Sequence, residues 1–395
     1  TQGVSSAASD VYKRQVGCRP NACLIACSMS LQTTSPKNLP NVDRSLLIDG
    51  LKALAAQTIV IHHLVSYGPM AEAAGVAAPG LVSWFGYYGR WAVQVFLVLA
   101  GYLTAQALCE RESGLSHPWS LIAKRYVRLV WPFGVAVTLA VIAAEMARFW
   151  TADPMLPESA GLMQYLSHWL LVHGVLGHES LSTGVWYVAI DFQLFALTVL
   201  LLWSSQALRW AGWAPLLIAA LTMASLVWIR TWSDWDNWAP YFYNAYGVGL
   251  LMGWLTRRQQ EVLPWVRVAL FAVLGVLVWQ LAVTMNGRLV VILAVAMLLW
   301  VASFPVVRVV PTMLGGLKPL LGSAIHYLGA TSFALFLVHF PVSMLVNAAQ
   351  DRFDWTSPQD GVMAMAFAWF FSMVLADVFY RFVERSGMAL SRRIR

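Results

Sequence analysis

Charge is scarce in this chain. Asp, Glu, Lys and Arg make up 11% of its 395 residues, against about 25% in a soluble domain, too few to coat a water-exposed surface. Hydrophobic residues reach 59% and the mean hydropathy is +0.63, which places the protein among multi-span integral membrane proteins in a lipid bilayer. No internal repeat is visible, and that argues against the inverted-repeat architecture of many transporters. The formal charge of +7 would suit a nucleic-acid partner. The basic residues lie between apolar runs, however, where membrane topology accounts for them, and no nucleic acid is expected.

Cysteine is scarce as well. The four are Cys18, Cys23, Cys27 and Cys109, and three of them crowd into a segment that reads as foreign. Asp10 to Gln15, D-V-Y-K-R-Q, resembles the translation of a transposon mosaic end used in sequencing libraries. Residues 1–28 are therefore expected to be a non-native leader, with Met29 as the true start. That leaves Cys109 alone and removes any disulfide or zinc framework. Residues 29–46 read as a cytoplasmic arm, 47–384 as one transmembrane domain and 385–395 as a basic cytoplasmic tail.

The apolar runs cover residues 48–67, 84–108, 129–149, 184–204, 214–232, 241–256, 265–284, 289–304, 324–349 and 361–383. Each is near the roughly 20 residues that a spanning helix needs. Alternate connections hold the basic residues: Arg111, Lys124, Arg125 and Arg128, then Arg209, then Arg257 and Arg258, then Arg308 and Lys318. The other connections hold Glu72, then Asp153, Glu158 and Glu179, then Asp234 and Asp236, then Asp351, Asp354 and Asp360, with Arg352 as the exception. The expected fold is thus an all-α bundle of about ten transmembrane helices with both termini cytoplasmic. A further apolar stretch, 162–177, would invert every later loop if it crossed. It reads instead as a re-entrant or interfacial helix on the outer side. Its His168 and His173 are poorly spaced for one helix face, and no metal site is expected.

An ionisable group inside a span costs a few kcal/mol, so each one asks for a reason. The first span reads L-I-D-G-L-K-A-L-A-A-Q-T-I-V-I-H-H-L-V-S. Lys52 and His63 return to within roughly 20° of each other on a helix, with a rise of roughly 16 Å between them. One face therefore offers a cation near one membrane surface and an imidazole near the other. With an ordinary pKa of about 6.5, that imidazole can accept a proton from a hydroxyl. Other polar positions in apolar surroundings are Arg90 and Gln94, the Arg125/Arg128 pair suited to phosphates, Asp191 in G-V-W-Y-V-A-I-D-F-Q-L-F-A-L, and His339 in S-F-A-L-F-L-V-H-F-P. Asp191 must meet a partner, a histidine to orient or an arginine to anchor, or stay protonated. His339 reads equally as a packed group near Pro341.

Taken together and in this order, these segments resemble the acyltransferase-3 family of integral membrane acyltransferases. The first span resembles its D-G-L-R-A-x-A pattern followed by His, with Lys52 in the place of the commoner Arg. Residues 95–101 resemble its F-F-x-x-S-G, with Ala100 for Ser. Residues 125–128 match R-x-x-R, and 186–195 resemble W-x-L-x-x-E-x-x-F-Y, with Asp191 for Glu. Residues 332–341 resemble S-Y-x-x-Y-L-x-H-x-P, and Glu384 lacks the Pro usually found after it. The resemblance implies transfer of an acyl group, usually acetyl from cytoplasmic acetyl-coenzyme A, to a hydroxyl of a carbohydrate or glycolipid acceptor at the outer face of a bacterial cytoplasmic membrane. No tightly bound cofactor is implied. On that basis His63 and Asp191 are the expected catalytic residues. Lys52, Arg90, Arg125, Arg128, Trp186 and His339 are the expected substrate or coenzyme A contacts. His63 would act as general base or carry the acyl group itself. The alternative is a glycan-precursor transporter or flippase with Lys52, His63 and Asp191 as a proton relay.

Overall fold

Backbone N–H and C=O groups in hydrocarbon have no water to bond, so long apolar runs close their hydrogen bonds internally as helices. A computed structural model describes residues 42–109, 115, 117–152, 156–208, 213–256, 264–304 and 318–394. The leader 1–28 with Cys18, Cys23, Cys27 and Met29, most of the arm, and Arg111, Asp153, Arg209, Arg257, Arg258, Arg308 and Arg395 lie outside the described residues. Among the described residues the structure is all helical, with no strand.

The helices are α1 (Val42–Leu64), α2 (Pro69–Ala77), α3 (Pro79–Tyr88), α4 (Val93–Cys109), α5 (Pro118–Arg148), α6 (Leu162–Trp169) and α7 (Trp186–Ala207). They continue with α8 (Ala214–Val227), α9 (Ala239–Leu255), α10 (Pro264–Thr284), α11 (Gly287–Val301), α12 (Lys318–Arg352), α13 (Pro358–Phe379) and α14 (Arg385–Ser391). Seven helical segments are long and apolar enough to cross a membrane, which makes this an integral multi-pass membrane protein. The other three apolar runs fall on α1, α9 and α11. Helix α1 carries four ionisable groups, Asp49, Lys52, His62 and His63, in its membrane-length part. Helix α11 has 15 residues, a rise of about 22 Å.

Helix α9 is the packed centre. Most of it is buried, and it lies against α4 closely enough that side chains are excluded from the contact. A Cβ on Gly101 would meet the Tyr246 carbonyl oxygen at 1.9 Å, and one on Gly249 would meet that of Val98 at 1.9 Å. Helices approach this closely in membranes through small residues. The pairing of 98 with 249 and of 105 with 253 runs α4 and α9 parallel. Gly329 against Asp49, His339 against His63 and Asn347 against Gly68 likewise run α12 parallel to α1. The second alignment sets His63 beside His339.

Helix α6 has eight residues, about 12 Å of rise, too short to cross. It lies along α5: the Tyr165 and Thr138 hydroxyls bond at 2.8 Å, and Tyr126 donates to the Trp169 carbonyl at 2.9 Å. Leu162, Met163 and Leu166 are exposed while Ser167 and His168 are buried. The chain then returns through Leu171 and Gly177, both at positive φ, to Gly184 at φ 86°, from which α7 starts.

Candidate functional site

A cavity of about 420 Å³ opens between α1, α4, α5, α7 and α12 and the turn after α13. The apolar helices supply its walls, and α1, α5, α7 and the turn after α13 contribute its few ionisable groups. Lys52 and Asp49 come from α1, Arg125 and Arg128 from α5, Asp191 from α7, and Glu384 from a π-helical turn, Tyr380–Glu384. Such turns often mark functional positions because they widen the helix by one residue. Three cations thus face three carboxylates in a largely apolar bundle.

Most of these charges are paired. Asp49 takes Lys52 at 3.4 Å on one oxygen and His326 at 2.7 Å on the other. Arg125 Nη2 donates to Asp191 Oδ2 at 2.5 Å, with the carboxylate side chain only 6% exposed. The pairing is one-sided, since Arg125 Nε and Asp191 Oδ1 are buried with no hydrogen-bond partner. Arg128 is exposed and, among the described residues, makes no ion pair or hydrogen bond. It interacts electrostatically with Glu384 without a direct hydrogen bond, so its N–H groups remain available.

His63 does not line this cavity. It is 7% exposed, one turn beyond the cavity's end, and pairs with fully buried His339. Their rings lie within 8° of parallel, with His63 Nδ1 and His339 Nε2 2.7 Å apart. His339 Nδ1 lies 2.8 Å from the Phe336 carbonyl oxygen and 3.2 Å from that of Leu335. A carbonyl only accepts, so His339 Nδ1 carries a proton, and in the neutral ring its Nε2 is the acceptor. His63 Nδ1 must then be the donor, which leaves the lone pair on His63 Nε2. Among the described residues that nitrogen has no hydrogen-bond partner. Two packed helices have fixed the tautomer of a potential base.

Between the cavity and this pair stand three aromatic rings. Phe96, Tyr187 and Phe336 all line the cavity, with ring centroids 5.7 to 6.4 Å apart. A Cβ on Gly184 would sit 3.1 Å from Phe336 Cζ and 3.4 Å from His63 Cε1, so the tip of Phe336 and the edge of His63 address the same point. The absent side chain at Gly184 lets the Phe336 ring pack close to the backbone there, and its φ of 86° favours glycine.

The expected site residues therefore divide into three groups. Lys52, Arg125, Arg128 and Asp191 meet at the cavity, and Asp191 anchors an arginine there with, among the described residues, no hydrogen bond to a histidine. His63 and His339 meet each other beyond it. Arg90 and Trp186 join neither group: the Arg90 guanidinium sits 5.5 Å from the centre of the Tyr87 ring, and Trp186 stacks on Phe242 at 5.3 Å. The aromatic stop, Gly184 and the pairing of His339 with His63 were not visible in the sequence, because each depends on contacts between distant segments. Glu384 was visible only as part of a motif.

The His168 and His173 rings stack at 4.0 Å and 7°. Stacked faces point no shared lone pair at an ion, and His168 already donates to the Gln164 carbonyl and accepts from the Leu181 amide. Among the described residues no group of three or more potential ligands is assembled for a metal.

A buried histidine pair thus lies beyond a charged cavity. The family model of the acyltransferase domain matches residues 46–381, most of the chain and every helix of the site up to Tyr380. The protein belongs to this acyltransferase-3 family and is a membrane acyltransferase. No curated protein and no solved structure matches the chain.

Proposed function

We propose that the protein is an O-acyltransferase that takes an acyl group, acetyl in the simplest case, from acyl-coenzyme A in the cytoplasm. The acceptor is a hydroxyl of a carbohydrate or glycolipid at the opposite face of a bacterial cytoplasmic membrane. The observation that carries this reading is the His63–His339 hydrogen bond at 2.7 Å, which leaves the lone pair on His63 Nε2 beyond a cavity that Arg128 lines. The end of the bundle with Lys52 and Arg128 faces the cytoplasm, as the distribution of Lys and Arg favours.

Arg128, with Lys52 and Arg125, receives the coenzyme's phosphates, for which a guanidinium fork is well shaped. The pantetheine arm then runs between α1, α4 and α12 toward His63. The acceptor oxygen attacks the thioester carbon while Nε2 of His63 removes its proton. A C–O bond forms, the C–S bond breaks, and the proton passes from His63 to the departing thiolate. Alternatively His63 takes the acyl group first and passes it to the hydroxyl in a second step. His339 is a positioning residue in both routes.

A transporter reading needs a continuous proton path through Lys52, His63 and Asp191. The rings of Phe96, Tyr187 and Phe336 stand across it, and Asp191 is held by Arg125. The discriminating experiment is thiol release from acetyl-coenzyme A by the protein in vesicles of its host's lipids and glycolipids. His63→Ala is expected to lower the rate by about 10²–10⁴-fold, the range for a general base. A correctly folded His63→Ala protein with wild-type turnover would refute the assignment.

A further inference from the structure

We propose that Phe336, closing against Phe96 and Tyr187, sets the largest acyl group that can reach His63. The inference rests on the reading of the cavity as the donor's channel. It goes beyond it by assigning acyl-chain selectivity to a ring that touches neither the phosphates nor the base.

The geometry makes Phe336 a stop. The cavity is lined by Phe336 on its inner end, and the ring tip meets the point beside Gly184 that the His63 Cε1 edge also approaches. Tyr187 presents an edge to the Phe336 ring at 5.7 Å and 76°, and Phe96 closes the third side at 6.4 Å. A thioester entering from the Arg128 side therefore reaches His63 only when the Phe336 ring swings aside. The space behind it is bounded by Gly184, His63 and His339, whose ring centroid lies 6.2 Å from that of Phe336. A short acyl group asks for the smallest displacement of the ring. Each added methylene meets a wall of aromatic carbon.

The same residue does a second, separable job. Its backbone carbonyl accepts the His339 proton that fixes the His63 tautomer. Ring motion leaves that carbonyl in place, and so does truncation of the side chain. Phe336→Ala should therefore open the stop while the His63–His339 pair persists. In an apolar pocket one methylene changes selectivity by about 10- to 200-fold, so removal of a phenyl ring should be easily read.

The test compares thiol release from acetyl-, butyryl- and octanoyl-coenzyme A by wild type, Phe336→Ala and Phe336→Leu in the same vesicles. Wild type is expected to favour acetyl. The butyryl-to-acetyl ratio of kcat/KM should rise at least about tenfold in Phe336→Ala and by a smaller factor in Phe336→Leu, which keeps the core filled and decides the matter if the alanine variant fails to fold. Ratios that stay within about twofold of wild type, or a wild type that already turns over octanoyl-coenzyme A as well as acetyl, would overturn the size rule while leaving the acyltransferase reading intact. If wild type releases thiol from none of the three, the donor assignment itself falls and this inference with it.

Discussion

Asp191 was expected to share in catalysis, yet its only hydrogen-bond partner among the described residues is Arg125, at 2.5 Å. Removing either partner leaves a charge largely out of water: the side chains are 24% exposed for Arg125 and 6% for Asp191. Breaking a buried pair from one side costs about 3–5 kcal/mol, whereas replacing both partners with apolar groups of similar volume is often neutral or stabilising. Asp191→Ala and Arg125→Ala should each lower stability by that amount, a large share of the roughly 5–15 kcal/mol that holds a typical fold. Arg125→Leu combined with Asp191→Leu should recover most of the loss. The assay is thermal unfolding of the purified protein in detergent, followed by tryptophan fluorescence, on the two singles and the double. The double should also keep its turnover at saturating acyl-coenzyme A while its KM rises, because Arg125 meets the donor and Asp191 only holds Arg125. A double variant as unstable as the singles would refute the pairing argument. A stable double variant with background turnover would return Asp191 to the chemistry.

His339→Ala removes the acceptor for the His63 Nδ1 proton, so the ring is free to reorient and to place its proton on Nε2. Turnover should fall by about tenfold or more, about 1.4 kcal/mol in the barrier, with little change in KM; steady-state kinetics at fixed pH read the split, and a pure KM effect would contradict a positioning role. His173, in the connection between α6 and α7, is pushed down to about 3, chiefly by burial and further by His168 and His178. Its folded pKa lies below the unfolded value of about 6.5, so the unfolded chain binds the extra proton between those limits, and stability is lost as pH falls from about 6.5 toward 3. The loss is at most about 1.4 kcal/mol per pH unit. His173→Phe should flatten the dependence of the unfolding midpoint between pH 7 and pH 4.5, and an unchanged slope would show that other groups dominate.

The helices were legible because hydrocarbon forces backbone polarity inward and leaves a hydropathy signal of the right length. The common face of Lys52 and His63 was legible too, since helical periodicity within one segment is a local matter. So was the shared placement of Arg125 and Arg128, which both line the cavity. Contacts across the bundle were not. His63 meets a residue 276 positions away, and no spacing rule predicts that His339 will bond an imidazole when a phosphate or a carbonyl would satisfy it equally. Arg90 was legible as a charge near an apolar run, but its resting place 5.5 Å from the Tyr87 ring centre was not. The aromatic stop had no sequence signal, since Phe96, Tyr187 and Phe336 are individually ordinary residues of buried helices.

The central claim is that a thioester entering beside Arg128 reaches His63 Nε2. A structure of the protein with a non-hydrolysable thioether analogue of acetyl-coenzyme A tests it most directly. The account predicts phosphate oxygens within about 3 Å of the Arg128 guanidinium, the Phe336 ring displaced, and the acyl carbon about 3–3.5 Å from His63 Nε2. Phosphates bound at the end of the bundle near Arg90, or an acyl carbon halted on the Arg128 side of an undisplaced Phe336, would contradict it.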